Sequence, residues 1–120
     1  MNETDVVKQV VMDHARQGIH LFRNNSGTAF NSTGRPIYFG LGHVSKSSAS
    51  LIASSDLIGF KKTPYGAIFM AVEVKKPGWK FYAKRDFKQA AFLKMIHMNG
   101  GIAYFTDGIN KWDYNGKEVL

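Results

Sequence analysis

Ala67-Ile68-Phe69-Met70-Ala71-Val72-Glu73-Val74-Lys75 runs apolar for its first six residues and then sets a glutamate between two valines. A run this rich in β-branched and aromatic residues reads as a strand, and its near-continuous hydrophobicity reads as a strand covered on both faces. Upstream, Ser55–Lys61 reads as its antiparallel partner, joined to it by a turn containing Pro64 and Gly66. Downstream, Pro77-Gly78 ends the strand and a helix is expected from about Lys84 to Asn99. Phe87, Ala91, Leu93, Met95 and Ile96 should supply its buried side, with Gly100-Gly101 as its stop. Ile102–Phe105 is a further strand, after which Thr106-Asp107-Gly108 turns the chain into a short tail. Near the start, Val6, Val7, Val10, Val11 and His14/Ala15 recur at helical spacing through residues 3–18, Gly18 is a natural stop, and residues 19–24 alternate as a strand. Between Asn25 and Ser55 only Pro36–Phe39 looks strand-like, and Ser45–Ser50 is the stretch least expected to be rigid. The expected order is α-β-β-β-β-α-β, an α/β fold with a mixed central sheet flanked by helices.

The 120 residues suit a single domain, 1–120, with one hydrophobic core. No apolar run has the length of a membrane span, so no membrane role is expected. Met-Asn-Glu-Thr-Asp at the start is polar and acidic, unlike a secretory or mitochondrial leader, and a cytoplasmic location is the expectation. The absence of cysteine excludes disulfides and thiolate metal sites. Sixteen Lys+Arg against nine Asp+Glu give a net charge of +7, the footprint of a nucleic-acid binder. Lys61-Lys62, Lys75-Lys76, Lys80, Lys84-Arg85 and Lys88 crowd the middle of the chain, around its most informative acids. The glycine-rich words hold neither a P-loop nor a dinucleotide fingerprint, so no nucleotide cofactor is expected.

A charge inside a buried strand is costly unless it is paired or binds a metal, and Glu73 sits in that position. Lys75 leaves the same strand face two residues on, ~7 Å along the strand. Counting back from the turn brings Asp56 to the same end of the hairpin. Two carboxylates and an ammonium converging at a sheet end suit phosphodiester hydrolysis, in which Mg²⁺ takes oxygen ligands and keeps most of its water. The same residue types also fit a Glu-Lys ion pair beside an unrelated turn-capping Asp. His14, His20, His43 and His97 show no metal-ligand spacing. Trp79, Phe81 and Tyr82 follow the glutamate strand, where they would stack on bases or pack under the second helix.

Glu73-Val74-Lys75 preceded by Ser55-Asp56-Leu57 has the shape of the PD-(D/E)xK nuclease signature, with Ser in place of the usual Pro. Phe22-Arg23-Asn24-Asn25-Ser26-Gly27, Ser54 to Gly59, Glu73 to Gly78, Gln89-Ala90-Ala91-Phe92-Leu93 and Gly100-Gly101 then follow in order. This set resembles the virus-type replication-repair nuclease (VRR-Nuc) family over nearly the whole chain. The resemblance implies a restriction-endonuclease-like core and Mg²⁺-dependent cleavage of DNA, with Mn²⁺ as a substitute. It implies metal ligation by Asp56, Glu73 and the Val74 carbonyl, with Glu3 acting through water, and a place for Gln89 beside Lys75 and the attacking water. Stand-alone members resemble Holliday junction resolvases, so a homodimer on a four-way junction and a phage or prophage origin are expected. For DNA contact the expected residues are Arg23, Asn24, Lys61, Lys62 and Lys76, with Lys46 in the loop. A nuclease of the same chemistry on flaps, nicks or restriction-type sites is the alternative, and a non-catalytic basic nucleic-acid-binding module is a second.

Overall fold

The computed structural model describes residues 2–41 and 43–119. Helix α1 (Glu3–Arg16) starts where the Asn2 side chain accepts the Asp5 N–H at 2.9 Å, and it buries Val6, Val7, Val10 and His14 along one face. Gly18, at φ +76°, makes the left-handed turn that a β-carbon would disfavour and releases the chain into strand β1 (Ile19–Arg23). The central hairpin follows as β4 (Leu57–Thr63) and β5 (Gly66–Val74), paired from Leu57 opposite Val72 to Thr63 opposite Gly66. Pro64 and Tyr65 form its tip. Met70 to Val74 are buried without a break, whereas Ala67 and Phe69 are exposed, so only the second half of the hydrophobic run is covered on both sides. Helix α3 (Ala83–Met98) then crosses over to β6 (Ile102–Thr106), which lies parallel to β5.

Strand alternation sorts the core into two layers. Leu57, Met70, Val72 and Val74 face α1 together with Ile19, Leu21 and Tyr104. Ala71 and Phe105 face α3 and meet Phe92 and Leu93, with Trp79, Phe81, Ile96 and Trp112 packed around them. The fold is therefore an α/β arrangement, one helix on each face of a mixed sheet whose strands lie in the order β1-β4-β5-β6. Glu73 belongs by alternation to the α3 face, which decides what surrounds it. His14 sits in the other layer, its Nδ1–H donating to the Val10 carbonyl at 2.7 Å and its Nε2 accepting the Tyr104 hydroxyl. Burial lowers the His14 pKa and keeps the ring neutral.

Several expectations need correction. The polar stretch before Ser55 is not a structureless loop. Besides β3 (Pro36–Phe39), where a strand was expected, it holds β2 (Gly27–Phe30) paired with β3, and a short helix α2 (Lys46–Leu51) in the stretch expected to be least rigid. Ser45 and Ser48 cap α2 reciprocally, a job serine does well and one that hydropathy does not register. The tail also continues the sheet, as β7 (Lys111–Trp112) and β8 (Glu118–Val119), so the order is longer than α-β-β-β-β-α-β. On α3, Phe87 and Met95 are exposed, while Asp86, Phe92 and Leu93 are buried. Trp79 packs on Phe105 and Trp112 in the core, the second of its two readings, whereas Tyr82 stays exposed. Among the described residues no helix is long and apolar enough to cross a membrane.

At Gly59 the backbone of β1 lies close against β4. A β-carbon there would meet the His20 carbonyl oxygen of β1 at 1.7 Å, a backbone atom that cannot swing aside. Gly59→Ala should cost about 1–3 kcal/mol or more in urea unfolding, as overpacking against fixed atoms does. A neutral result would show that β1 is not held against β4 in this register.

Candidate active site

The site forms where β4 and β5 end together. Asp56 immediately precedes β4, and its Oδ2 accepts the Val74 N–H at 3.0 Å. Glu73 returns the arrangement, its Oε1 accepting the Asp56 N–H at 2.9 Å. These reciprocal bonds lock the two carboxyls against one another at the mouth of the hairpin. The Val74 N–H points towards Asp56, and in an extended strand the carbonyl of the same residue leaves on the same edge. The Asp56 carbonyl in turn accepts the Asn24 N–H at 2.7 Å. The Asn24 side chain donates to Ser54 Oγ and to the Ser55 carbonyl, both at 2.9 Å. Asn24 thus braces the segment that carries Asp56.

Glu73 is 2% exposed. Burial and the facing Asp56 carboxyl push its pKa up from 4.5 to about 9, and Lys75 only partly offsets this. Like charges this close cannot both ionise cheaply unless a cation joins them. The donor set therefore fits a hard divalent ion, for which carboxylate and carbonyl oxygens are the preferred ligands. Among the described residues no three His, Asp or Glu side chains converge as a ready ligand cluster. The carboxylates come as a pair, and the remaining positions around an ion would fall to carbonyl and water.

Lys75, from the same face as Glu73, stands with its Nζ 4.0 Å from Glu73 Oε2. The ammonium donates to Gln89 Oε1 at 2.7 Å and lies 3.6 Å from Asp86 Oδ1, both on α3. It also lies 5.7 Å from the centre of the Trp79 ring and 5.9 Å from that of Phe105. The residues expected from sequence thus gather as Asp56, Glu73, Lys75 and Gln89. Glu3 joins them at the edge, lining a polar pocket of about 110 Å³ with Arg23, Asn24 and Asp56.

The basic residues divide. Arg23 lines that pocket, and Lys76 follows Lys75 directly. Lys46 opens α2, whose end is tied to α3 by the Ala53 N–H donating to the Lys88 carbonyl at 3.1 Å. Lys61 and Lys62 lie opposite Ile68 and Ala67, near the hairpin tip. At ~3.4 Å per residue that is roughly 17 Å along the strand from Glu73, which keeps both lysines out of the site. Asp86 is the residue that sequence reading missed. An acid in the first turn of a helix has an ordinary explanation in the helix dipole. The available signal was its spacing of three from Gln89, which puts both on one helix face.

No protein-family model matches the chain, and no curated protein matches its sequence. What the fold and site define is an α/β protein with a locked carboxylate pair and a held lysine at the mouth of its central hairpin.

The raised Glu73 pKa has a consequence for stability. The folded state holds the Glu73 proton more tightly than the unfolded chain does. This contribution is full below pH 4.5 and is lost as pH rises towards about 9. In EDTA, Glu73→Gln should therefore melt higher than the parent at pH 8, by ~5 °C or more, with the difference shrinking as pH falls towards 4.5. A Gln variant less stable at pH 8 would mean that the carboxylate is fully compensated by the protein alone.

Proposed function

We propose that this protein is a metal-dependent endonuclease of the restriction-endonuclease-like class, akin to the VRR-Nuc family, acting on branched DNA. The observation that carries the reading is the pairing of buried Glu73 with half-buried Asp56, with Lys75 beside it. A purely DNA-binding module gains nothing from carboxylates placed where phosphates would approach. The strand order supports the same reading. An antiparallel hairpin carries the acids, a crossover helix carries Gln89, and the parallel β6 completes the core.

Asp56 and Glu73 would hold Mg²⁺ or Mn²⁺, with the Val74 carbonyl as a third donor and Glu3 reaching it through water. When bound, the ion supplies Lewis-acid polarisation of the scissile phosphate and a lowered pKa for a coordinated water. The Lys75 ammonium, fixed by Gln89, presents positive charge to the phosphoryl oxygens as negative charge grows on them in the transition state. Gln89 holds that lysine with its carbonyl oxygen, which leaves its own N–H₂ free to orient the attacking water. Arg23 and Lys76 flank the pair and would grip phosphates on either side of the scissile one. Each such contact adds to the salt dependence of binding.

The expected homodimer suits a four-way junction, because a two-fold assembly matches a two-fold substrate. Phe22, Phe60 and Phe69 lie exposed on the α3 side of the sheet, beyond the cover of α3, and Phe30, Ile37 and Phe39 lie exposed on the β2–β3 hairpin. Exposed apolar surface of this kind is what a subunit interface covers. A second copy of this chain is the occupant we assign to it.

Labelled four-way junction and linear duplex, each incubated with Mg²⁺ and with EDTA, test the reading. Cleavage of the junction should require the metal and fall on the order of 10³-fold in Glu73→Ala and Lys75→Met. In the same buffer, sedimentation should give twice the 13.4 kDa chain mass. Equal cutting of linear duplex would move the enzyme to the flap, nick or restriction-type alternative. Metal-independent binding without any cutting would favour the non-catalytic module.

A further inference from the structure

Asp86 is 1% exposed, and it is the one acid of α3's first turn. Its Oδ2 accepts the Tyr82 N–H at 2.9 Å and the Arg85 Nη2–H at 3.0 Å. Its Oδ1 accepts the Arg85 Nε–H at 3.1 Å and faces Lys75 Nζ at 3.6 Å. Tyr82 and Arg85 account for a helix cap and a surface ion pair. They partner both carboxylate oxygens, and Oδ1 faces the lysine of the carboxylate pair in addition. The ionisable groups follow one another in space as Arg85, Asp86, Lys75, Glu73.

Lys75 is therefore shared between two buried carboxylates on opposite sides, Asp86 from the helix and Glu73 from the strand. It lies nearer to Asp86, 3.6 Å against 4.0 Å, and its hydrogen bond goes to Gln89 on the same helix. A lysine drawn instead onto Glu73 would neutralise it as a closed ion pair and fill the space an ion needs. We propose that Asp86 is a positioning residue, which tethers Lys75 to α3 and so keeps Glu73 available to a divalent cation. The proposal rests on the nuclease reading of the pair, but its physical content is the position of one ammonium. Without the Asp86 charge, the Arg85 guanidinium next to it is no longer balanced and repels Lys75 towards Glu73.

Asp86→Asn tests this, because the Asn oxygen still accepts the Tyr82 N–H and the cap survives. Asp86→Ser, a smaller cap acceptor, serves if the Asn variant does not fold. The first readout needs no metal. In lysine-¹⁵Nζ spectra of the apo protein, the Lys75 resonance, assigned by its loss in Lys75→Met, should shift or broaden in the Asp86 variant. An unchanged resonance overturns the proposal. The second readout is Mn²⁺ affinity by titration calorimetry. It should fall about tenfold in the Asp86 variant, the size expected when a partner behind a metal site is lost. In a Lys75→Met background the same substitution should leave Mn²⁺ affinity unchanged, since no ammonium remains to collapse onto Glu73. An equal loss in both backgrounds overturns the tether and makes Asp86 a general structural support. If the parent protein binds no Mn²⁺ at all, the nuclease reading fails, and the ¹⁵N spectra alone decide the role of Asp86.

Discussion

Two carboxyl groups pressed together at the buried end of a hairpin form the constraint on which the rest of the site depends. Glu73 accepts the Asp56 N–H, Asp56 accepts the Val74 N–H, and neither side chain can turn away without leaving a backbone donor unpaired. The surrounding structure serves this pairing. Asn24 clamps the Asp56 segment from β1, and the unbroken burial of Met70 to Val74 removes the water that would screen the two charges. Lys75 supplies one positive charge, but Glu73 remains hard to ionise beside it. A protein that placed two acids here for stability alone would have done better with an amide at one of them.

The placement of α3 turns the pair into a directed site. Because β5 and β6 are parallel, the chain has to cross over between them, and the crossover helix lands on the face that carries Glu73 and Lys75. The first two turns of α3 therefore bring Asp86 and Gln89 to the lysine ammonium from the side opposite the strand. Trp79, from the connection between β5 and α3, closes over the same ammonium and packs on Phe105. The topology thus sets which residues meet Lys75 as well as how the core is filled.

Much of this was legible in the sequence, for physical reasons that can be named. The β5 run, its turn residues and the 3–4 spacing of Val6, Val7 and Val10 depend on burial periodicity, which a sequence displays directly. Glu73 was conspicuous because a charge in an apolar strand has few explanations. β2 and α2 were not legible, since one exposes most of its side chains and the other is held by serine caps and not by an apolar stripe, whereas β3 had stood out as the strand-like Pro36–Phe39. β7 and β8, at two residues each, are too short to show a period. Phe87 and Met95 were expected inside because they are apolar, yet α3 turns Asp86 inward in their place. That choice becomes intelligible only once Lys75 is seen waiting on the strand.

The central claim is that the Asp56–Glu73 pair is built to hold a divalent cation. Anomalous diffraction from crystals soaked in Mn²⁺ tests it most directly. The account predicts a strong manganese peak bridging the two carboxylates, within reach of the Val74 carbonyl, that disappears in Glu73→Gln crystals. Manganese bound elsewhere, or a Glu73 carboxyl still closed against Asp56 at saturating Mn²⁺, would contradict it.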